Sequence, residues 1–190
     1  MTHIDLQKAV QRLGPMTAAE FRLIAPLLSV TKVKRGQVLL AAGQRAKRVY
    51  FVREGLLREF YVDEHGAEFT RTFIPEGEFS GSLADLVSGQ GALVNIDALE
   101  DSTLVTFAFE ALDALASKSA AWQLICRRHA EVLVRRKVTR EFEMLTLDAA
   151  ERHRRFITTQ RSLDRRLSRE LVAQYLGITP VHLSRLRRRR

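Results

Sequence analysis

The stretch from Ala120 to Leu147 contains neither glycine nor proline, and this limits the folds open to the chain. Helix-forming residues dominate it, and apolar residues recur at helical spacing at Val134, Val138, Phe142 and Leu145. The pattern predicts one helix that is longer than average and has too little apolar surface for a core of its own. We expect this helix to pack against its twin in a homodimer. The alternative is an ordinary helix that covers the preceding domain.

The segment from Val30 to Ala108 has a different pattern, in which short runs rich in Val, Phe, Tyr and Thr alternate with glycine-containing turns. Several strands at this spacing predict an antiparallel sandwich or roll. The predicted strands are Val49–Arg53, Leu57–Val62, Glu68–Ile74, Ala92–Ala98 and Leu104–Phe107. Two short helices are predicted before them, over residues 4–13 and 17–28. The expected fold class is therefore α+β.

The excess positive charge is confined to the end of the chain. Residues 151–190 contain twelve arginines and three acidic residues, whereas residues 1–150 contain 19 basic and 19 acidic residues, so the net charge of +9 lies in the last part. A neutral body with a basic end is typical of proteins that bind nucleic acid. The alternatives are a solvated basic tail and a patch that contacts a membrane surface.

Several classes of protein are not expected. The single cysteine, Cys126, excludes a disulfide framework within one chain and any metal site built from several thiolates. No apolar run approaches the roughly 20 residues of a membrane span, and the start of the chain has no secretion-signal pattern. These features favour the cytoplasm. We find no nucleophile–base set and no phosphate-binding loop, so we expect no enzyme activity, no cofactor and no metal.

The segment from Ser168 to Leu186 has the pattern of a helix-turn-helix. Ala173 supplies the small residue where two helices cross, and Gly177 supplies the positive φ that the turn requires. Ser168 is expected to cap the first helix and Thr179 the second, with Pro180 in its first turn. The apolar residues that would seal the helix pair are Val172, Leu176, Ile178, Leu183 and Leu186. The alternative is a generic helical hairpin.

With these motifs in place, the chain resembles the Crp/Fnr superfamily, which includes the cyclic-AMP receptor protein and the fumarate–nitrate reductase regulator. The resemblance covers nearly the whole length, with Gly55–Arg58 and Gly77–Gly81 similar to the family's strand–turn pattern. It implies a β-roll sensor-type domain over residues 1–118, a dimerisation helix over 119–147 and a DNA-binding domain over 148–190, in which Asp148 caps a connecting helix. The implied partners are double-stranded DNA, a second copy of the chain, RNA polymerase and an unidentified small-molecule effector, but no membrane.

The chain departs from the cyclic-nucleotide-binding members of this family. Ser82 stands where those members have the glutamate that binds the ribose, and Ala92 and Leu93 replace an Arg-Ser pair that neutralises the phosphate. A buried phosphate needs a charged partner, and no basic residue lies between Phe73 and Leu115. We therefore expect no cyclic-AMP binding of the family's type. The candidate effector-pocket residues are Arg58, Arg71, Gly81 and Ser82, and the alternative for each arginine is a solvated strand residue.

The second predicted helix supplies the candidate DNA contacts. Its first turn is expected to enter the major groove, where side chains reach base edges. The predicted base-reading residues are Pro180, Val181, His182 and Arg185, of which Arg185 matches the family's base-contacting arginine. The predicted phosphate contacts are Ser168, Arg169, Thr179, Arg187, Arg188, Arg189 and Arg190. Because the sequence ends at Arg190, we expect no β-hairpin wing after this helix; the alternatives are a branch of the family without the wing and an incomplete chain. A second hypothesis is a small-molecule-sensing module whose basic tail docks RNA, protein or membrane.

Overall fold

The computed structural model describes residues 4–188, so Arg189 and Arg190, two of the predicted phosphate contacts, lie outside the described residues. Within this range the strands form two four-stranded antiparallel sheets. The strands are β1 Ser29–Val33, β2 Val38–Leu40, β3 Arg48–Glu54, β4 Leu57–Val62, β5 Glu68–Ile74, β6 Phe79–Ser80, β7 Asn95–Ala98 and β8 Ser102–Ala108. Their order is β1-β8-β3-β6 in one sheet and β2-β7-β4-β5 in the other. The predicted antiparallel roll is confirmed.

The core of the roll lies between the two sheets. Val52 and Leu104 of one sheet and Leu57 and Ile96 of the other are fully buried in one apolar cluster. The strand predicted over Ala92–Ala98 begins only at Asn95, because the backbone of Ala92 bonds to the turn at Gly43 and Gln44 instead of to a strand. Sequence reasoning missed β1, β2 and β6. The first four residues of β1 are exposed, so this edge strand lacks the alternation by which strands are recognised.

Helices flank the roll and form the C-terminal part of the chain. They are α1 Ile4–Leu13, α2 Ala18–Arg22, α3 Leu83–Ser88, α4 Phe109–Ala116, α5 Ala120–Thr146, α6 Ala149–Thr159, α7 Arg161–Asp164, α8 Arg169–Leu176 and α9 Pro180–Arg188. The helix predicted over residues 17–28 is interrupted: α2 ends at Arg22, and Pro26 lies in a separate 3-10 turn over Ala25–Leu27. Proline in a helix interior removes a hydrogen bond and clashes with the preceding turn.

The long helix α5 is confirmed, and its two halves have different surroundings. Its first turns are buried against the roll and α1, where Trp122 Nε1 donates to the Glu20 carbonyl at 2.9 Å. Farther along, four large apolar side chains are 51–78% exposed, and we call them the α5 stripe: Val134, Val138, Phe142 and Leu145. Covering the roll therefore does not explain these four exposed apolar side chains.

The C-terminal helices pack directly on the roll. A separate apolar cluster joins Leu56 and Phe73 of the roll to Val172, Leu176 and Leu183 of the last two helices. Phe73 also contacts the Tyr175 ring, with centroids 5.4 Å apart. The last two helices therefore contact the roll directly.

Candidate nucleic-acid interface

The pair α8 and α9 has the local geometry that a helix-turn-helix requires. Gly177 ends α8 with φ 66° and ψ 39°, the left-handed conformation that favours glycine. Ala173 is fully buried and leaves room for the close approach of α9, which is anchored by the fully buried Leu183. Val172 and Leu176 complete the apolar seal. These positions agree with the predicted motif.

The predicted caps fix where both helices begin. The Ser168 hydroxyl accepts a hydrogen bond from the Leu171 N–H at 3.2 Å, and the Thr179 hydroxyl accepts one from the His182 N–H, also at 3.2 Å. Each cap satisfies a backbone donor that has no partner within its helix. Because Thr179 sets the start of α9, it also sets which side chains occupy the first turn.

The first turn of α9 presents the predicted base-reading residues outward. Pro180, Val181, His182 and Arg185 are all exposed, with Val181 at 62%, whereas Leu183 points into the core. The structure therefore brings the four residues to one accessible face. Arg185 lies one helical turn beyond Val181, so both side chains project from the same side of α9.

The predicted phosphate contacts divide into two groups. Ser168, Arg169, Thr179 and Arg188 are exposed. Arg187 instead makes an ion pair with Asp164 of α7, with Nη2 and Oδ1 2.6 Å apart, and its side chain is only 31% exposed. The ion pair holds Arg187 within the domain, so its guanidinium is not free in the way that the sequence suggested.

Two arginines hold the end of α8 from other helices. Arg140 of α5 donates to the Tyr175 carbonyl and lies over the Tyr175 ring, with its Cζ 4.1 Å from the ring centroid. Arg152 of α6 donates through Nε to the Leu176 carbonyl at 3.1 Å. Cations at a helix C-terminus donate hydrogen bonds to its free carbonyls and interact favourably with the negative end of the helix dipole. Burial raises the pKa of the Tyr175 hydroxyl, which keeps it neutral.

Arg58 corrects an expectation from the sequence. It is not solvated but 5% exposed, and it forms a two-bond ion pair with Asp97 and a second pair with Glu68. Its Nη1 is also 3.4 Å from the Gln174 Oε1 of α8, which accepts a further bond from the Thr70 hydroxyl at 3.0 Å. Arg58 therefore lies between the roll and α8.

The other candidate effector residues lie near one another. Ser82 is buried and donates a hydrogen bond to the Asp85 carboxylate. Gly81 has φ 134°, and a Cβ at this position would lie only 2.8 Å from the Arg48 carbonyl oxygen. Arg71 is linked to this region through Glu59, which accepts from both the Arg71 guanidinium and the Ser80 hydroxyl at 2.9 Å. Each polar group thus has a partner within the protein.

A second contact between the roll and the C-terminal helices was missed in the sequence. Arg166, between α7 and α8, binds Glu76 and Glu100, which lie in two turns of the roll. The hydrogen bonds from Arg166 lower the pKa of Glu76, so this carboxylate is ionised at neutral pH. Nothing in the sequence could indicate this pairing, because each partner is one of many charged residues in a turn.

Among residues 4–188, no three His, Cys, Asp or Glu side chains come together in a way that could hold a metal ion. None of the helices in that range has both the length and the apolar character needed to cross a bilayer.

Comparison with known proteins assigns the roll to a described domain. Residues 30–119 match the model of the cyclic nucleotide-binding domain family. The chain is 27% identical over 169 residues to the fumarate and nitrate reduction regulatory protein of Vibrio cholerae, with 81% of this chain covered. The protein of the same name from Escherichia coli K12 matches over the same lengths. The chain spans about 65% of the length of these relatives.

Solved structures with the same fold include two bacterial proteins. FixK2 of Bradyrhizobium japonicum aligns with a TM-score of 0.71 at 20% identity, covering 85% of this chain and 83% of that one. The c-di-GMP-responsive global regulator CLP of Xanthomonas campestris aligns with a TM-score of 0.71 at 17% identity, covering 91% of each chain. At these identities the likeness establishes the fold.

Proposed function

We propose that the chain is a member of the Crp/Fnr family and a homodimeric, sequence-specific DNA-binding regulator of transcription, and that its roll does not bind cyclic AMP in the family's usual way. The observation on which this rests is the α9 face, where Pro180, Val181, His182 and Arg185 are exposed together on a helix that is fixed by its cap and by Leu183. Such an exposed face can enter the major groove. We propose a cytoplasmic location, because this function requires access to DNA.

The α5 stripe supports the homodimeric part of the proposal. Four large apolar side chains at helical spacing are left in water on the isolated chain, and a second copy of α5 would cover them. A dimer formed in this way has two-fold symmetry, which DNA half-sites about one helical turn apart would match. RNA polymerase is a further proposed partner, as in transcription regulators generally.

We expect the protein to select a two-fold symmetric duplex from a random pool, with a guanine in each half-site. The guanidinium of Arg185 can form a fork onto O6 and N7 of guanine. Val181 has no polar group, so it can only pack on a thymine methyl or leave its position unread. Sequencing the duplexes retained by the purified protein tests this. A pool without enriched sequences would instead favour a module whose basic end docks RNA, protein or membrane.

Replacing Arg185 with alanine should cost roughly 1–3 kcal/mol in binding to the selected duplex and relax the preference at one base pair. The matched control is Arg188→Ala, which removes an exposed arginine from the same helix at a predicted phosphate contact. This control should weaken binding to selected and random duplexes alike. Titrations of each variant with both duplexes give the comparison. Equal losses on both duplexes for Arg185→Ala would make Arg185 a phosphate contact and not a base reader.

Cyclic AMP should show no binding at micromolar concentrations in calorimetry. Ser82 is paired with Asp85, Ala92 is buried among apolar residues and Leu93 is 76% exposed, so the matched positions offer no charged partner to a phosphate. Arg58 lies on β4, but its guanidinium is already paired with Asp97 and Glu68 and is not free to bind a phosphate. A micromolar dissociation constant would contradict this expectation and would require one of these ion pairs to open.

A further inference from the structure

Arg166 joins the DNA-binding helices to the roll through four hydrogen bonds. Its Nη1 and Nη2 lie 2.9 Å from the two oxygens of Glu76, and its Nε and Nη2 lie 3.0 and 2.7 Å from the two oxygens of Glu100. The guanidinium therefore forms a fork with each carboxylate. We call Arg166, Glu76 and Glu100 the interdomain clamp.

The two carboxylates are fixed parts of the roll. Glu76 lies in the turn between β5 and β6, where its Oε1 also accepts from the Gly55 N–H at 3.0 Å. Glu100 lies in the turn between β7 and β8. Arg166 belongs to the C-terminal helices: it lies in the turn between α7 and α8, two residues before the capping residue Ser168. The clamp thus joins two turns of the roll to the beginning of the helix-turn-helix.

The chemistry of the clamp resembles that of a phosphate contact. Arginine binds carboxylate and phosphate with the same planar fork, so the two kinds of anion can replace each other on one guanidinium. Arg166 adjoins the exposed residues Ser168 and Arg169, which are proposed phosphate contacts. Arg165 and Arg166 are both exposed residues of this basic turn, and the guanidinium of Arg166 is paired with the acidic residues of the roll.

The clamp is placed so that solvent can weaken it. The side chains of Arg166, Glu76 and Glu100 are 26%, 44% and 37% exposed. Ion pairs that are partly exposed contribute little and are screened by salt. A polyanion such as a duplex, whose phosphates each carry one negative charge, can therefore compete with the carboxylates at this turn, while the apolar contacts of Leu56 and Phe73 keep the domains together.

We propose that the interdomain clamp is an autoinhibitory contact, in which Glu76 and Glu100 occupy the guanidinium of Arg166 and a DNA phosphate must displace them. This inference rests on the proposed function, because it requires that the helix-turn-helix binds DNA. The clamp lowers the affinity for every duplex, since phosphates have no sequence information. Any change that moves the two turns of the roll away from Arg166 raises that affinity.

The test compares Glu76→Gln/Glu100→Gln with the wild-type chain. Glutamine keeps the size of each side chain and leaves an oxygen for the Gly55 N–H, but it removes both negative charges. We expect about ten-fold tighter binding to selected and random duplexes alike, and a salt dependence steeper by about 0.9 for each added phosphate contact. The control is Asp5→Asn/Glu110→Gln, which removes two exposed charges from elsewhere and should change the affinity much less.

Combining these substitutions with Arg166→Ala gives a mutant cycle that tests whether the effect acts through Arg166. In this background the two glutamine substitutions should no longer tighten binding, because the guanidinium for which phosphate and carboxylate compete is gone. The same glutamine substitutions combined with Arg165→Ala should still do so. A gain that persists without Arg166 would mean a general charge effect and would overturn the proposal.

Other outcomes separate this inference from the proposed function. If the wild-type chain selects a duplex but Glu76→Gln/Glu100→Gln binds it equally or more weakly, the clamp is a structural support and the inference is wrong. If the wild-type chain selects no duplex, the proposed function fails. Thermal unfolding of each variant verifies folding, and Glu100→Gln alone, which leaves the Gly55–Glu76 bond intact, should give a smaller gain in the same direction.

Discussion

Val138→Glu should convert the protein from a dimer to a monomer and weaken its binding to a duplex with two half-sites by about 10²–10⁴-fold, which is the range that linked binding of two modules contributes. Val138 is 59% exposed in the middle of the α5 stripe. In a symmetric pair of helices its twin would lie opposite or close by, so each dimer would bury two unpaired carboxylates. The change therefore acts on association and not on the fold of the single chain.

Val87→Glu is the matched control for this experiment. Val87 is also an exposed valine, at 70%, but it lies on α3 of the roll and not on α5. Sedimentation should give twice the chain mass of 21.6 kDa for the wild type and for Val87→Glu, and the single mass for Val138→Glu. A Val138→Glu protein that stays dimeric would mean that the stripe is not the interface. Dissociation by Val87→Glu would assign the interface to the roll.

Arg58→Ala should lower the free energy of unfolding by about 3–5 kcal/mol, the cost typical of breaking a buried ion pair. Arg58 is 5% exposed and its Nε and Nη2 lie 3.1 and 2.7 Å from the two oxygens of Asp97. Without the guanidinium, Asp97, whose side chain is 13% exposed, keeps its charge in a poorly solvated place. Glu68 is 39% exposed and can turn to water, so it adds little to the loss.

Arg127→Ala is the control, because its ion pair with Glu131 has the same 2.6 Å separation as the pair of Arg58 and Glu68 but side chains that are 63% and 57% exposed. An exposed pair one helical turn apart contributes only about 0.3–0.5 kcal/mol. Because the two ion pairs have the same separation, a larger loss of unfolding free energy for Arg58→Ala than for Arg127→Ala in chemical denaturation would be due to burial. In the double variant Arg58→Ala/Asp97→Ala part of the loss should be recovered. Equal losses for Arg58→Ala and Arg127→Ala would contradict the argument.

The helix-turn-helix was predictable from sequence because its requirements are local. Gly177 must adopt a positive φ, Ala173 must be small, and Ser168 and Thr179 must cap helices that begin next to them; each requirement involves residues within one or two turns of chain. The same holds for α5, where the absence of glycine and proline sets the helix and the spacing of the α5 stripe sets its apolar face. The turn-and-strand pattern likewise predicted the roll.

Only the tertiary structure decided which charged side chains meet. Arg58 and Asp97 are neighbours across the β4–β7 ladder, and Arg166 meets Glu76 and Glu100 across the junction of roll and helices. Sequence alone gave Arg58 the appearance of a solvated strand residue, since charged residues are rarely buried. Whether a charge is buried depends on what packs above its strand, and here α8 covers it through Gln174. Helix propensity, capping and apolar spacing depend on residues that are close in sequence, so the sequence by itself determined the roll, α5 and the helix-turn-helix. The pairing of distant charges depends on how the chain packs, so only the tertiary structure decided how these parts are joined.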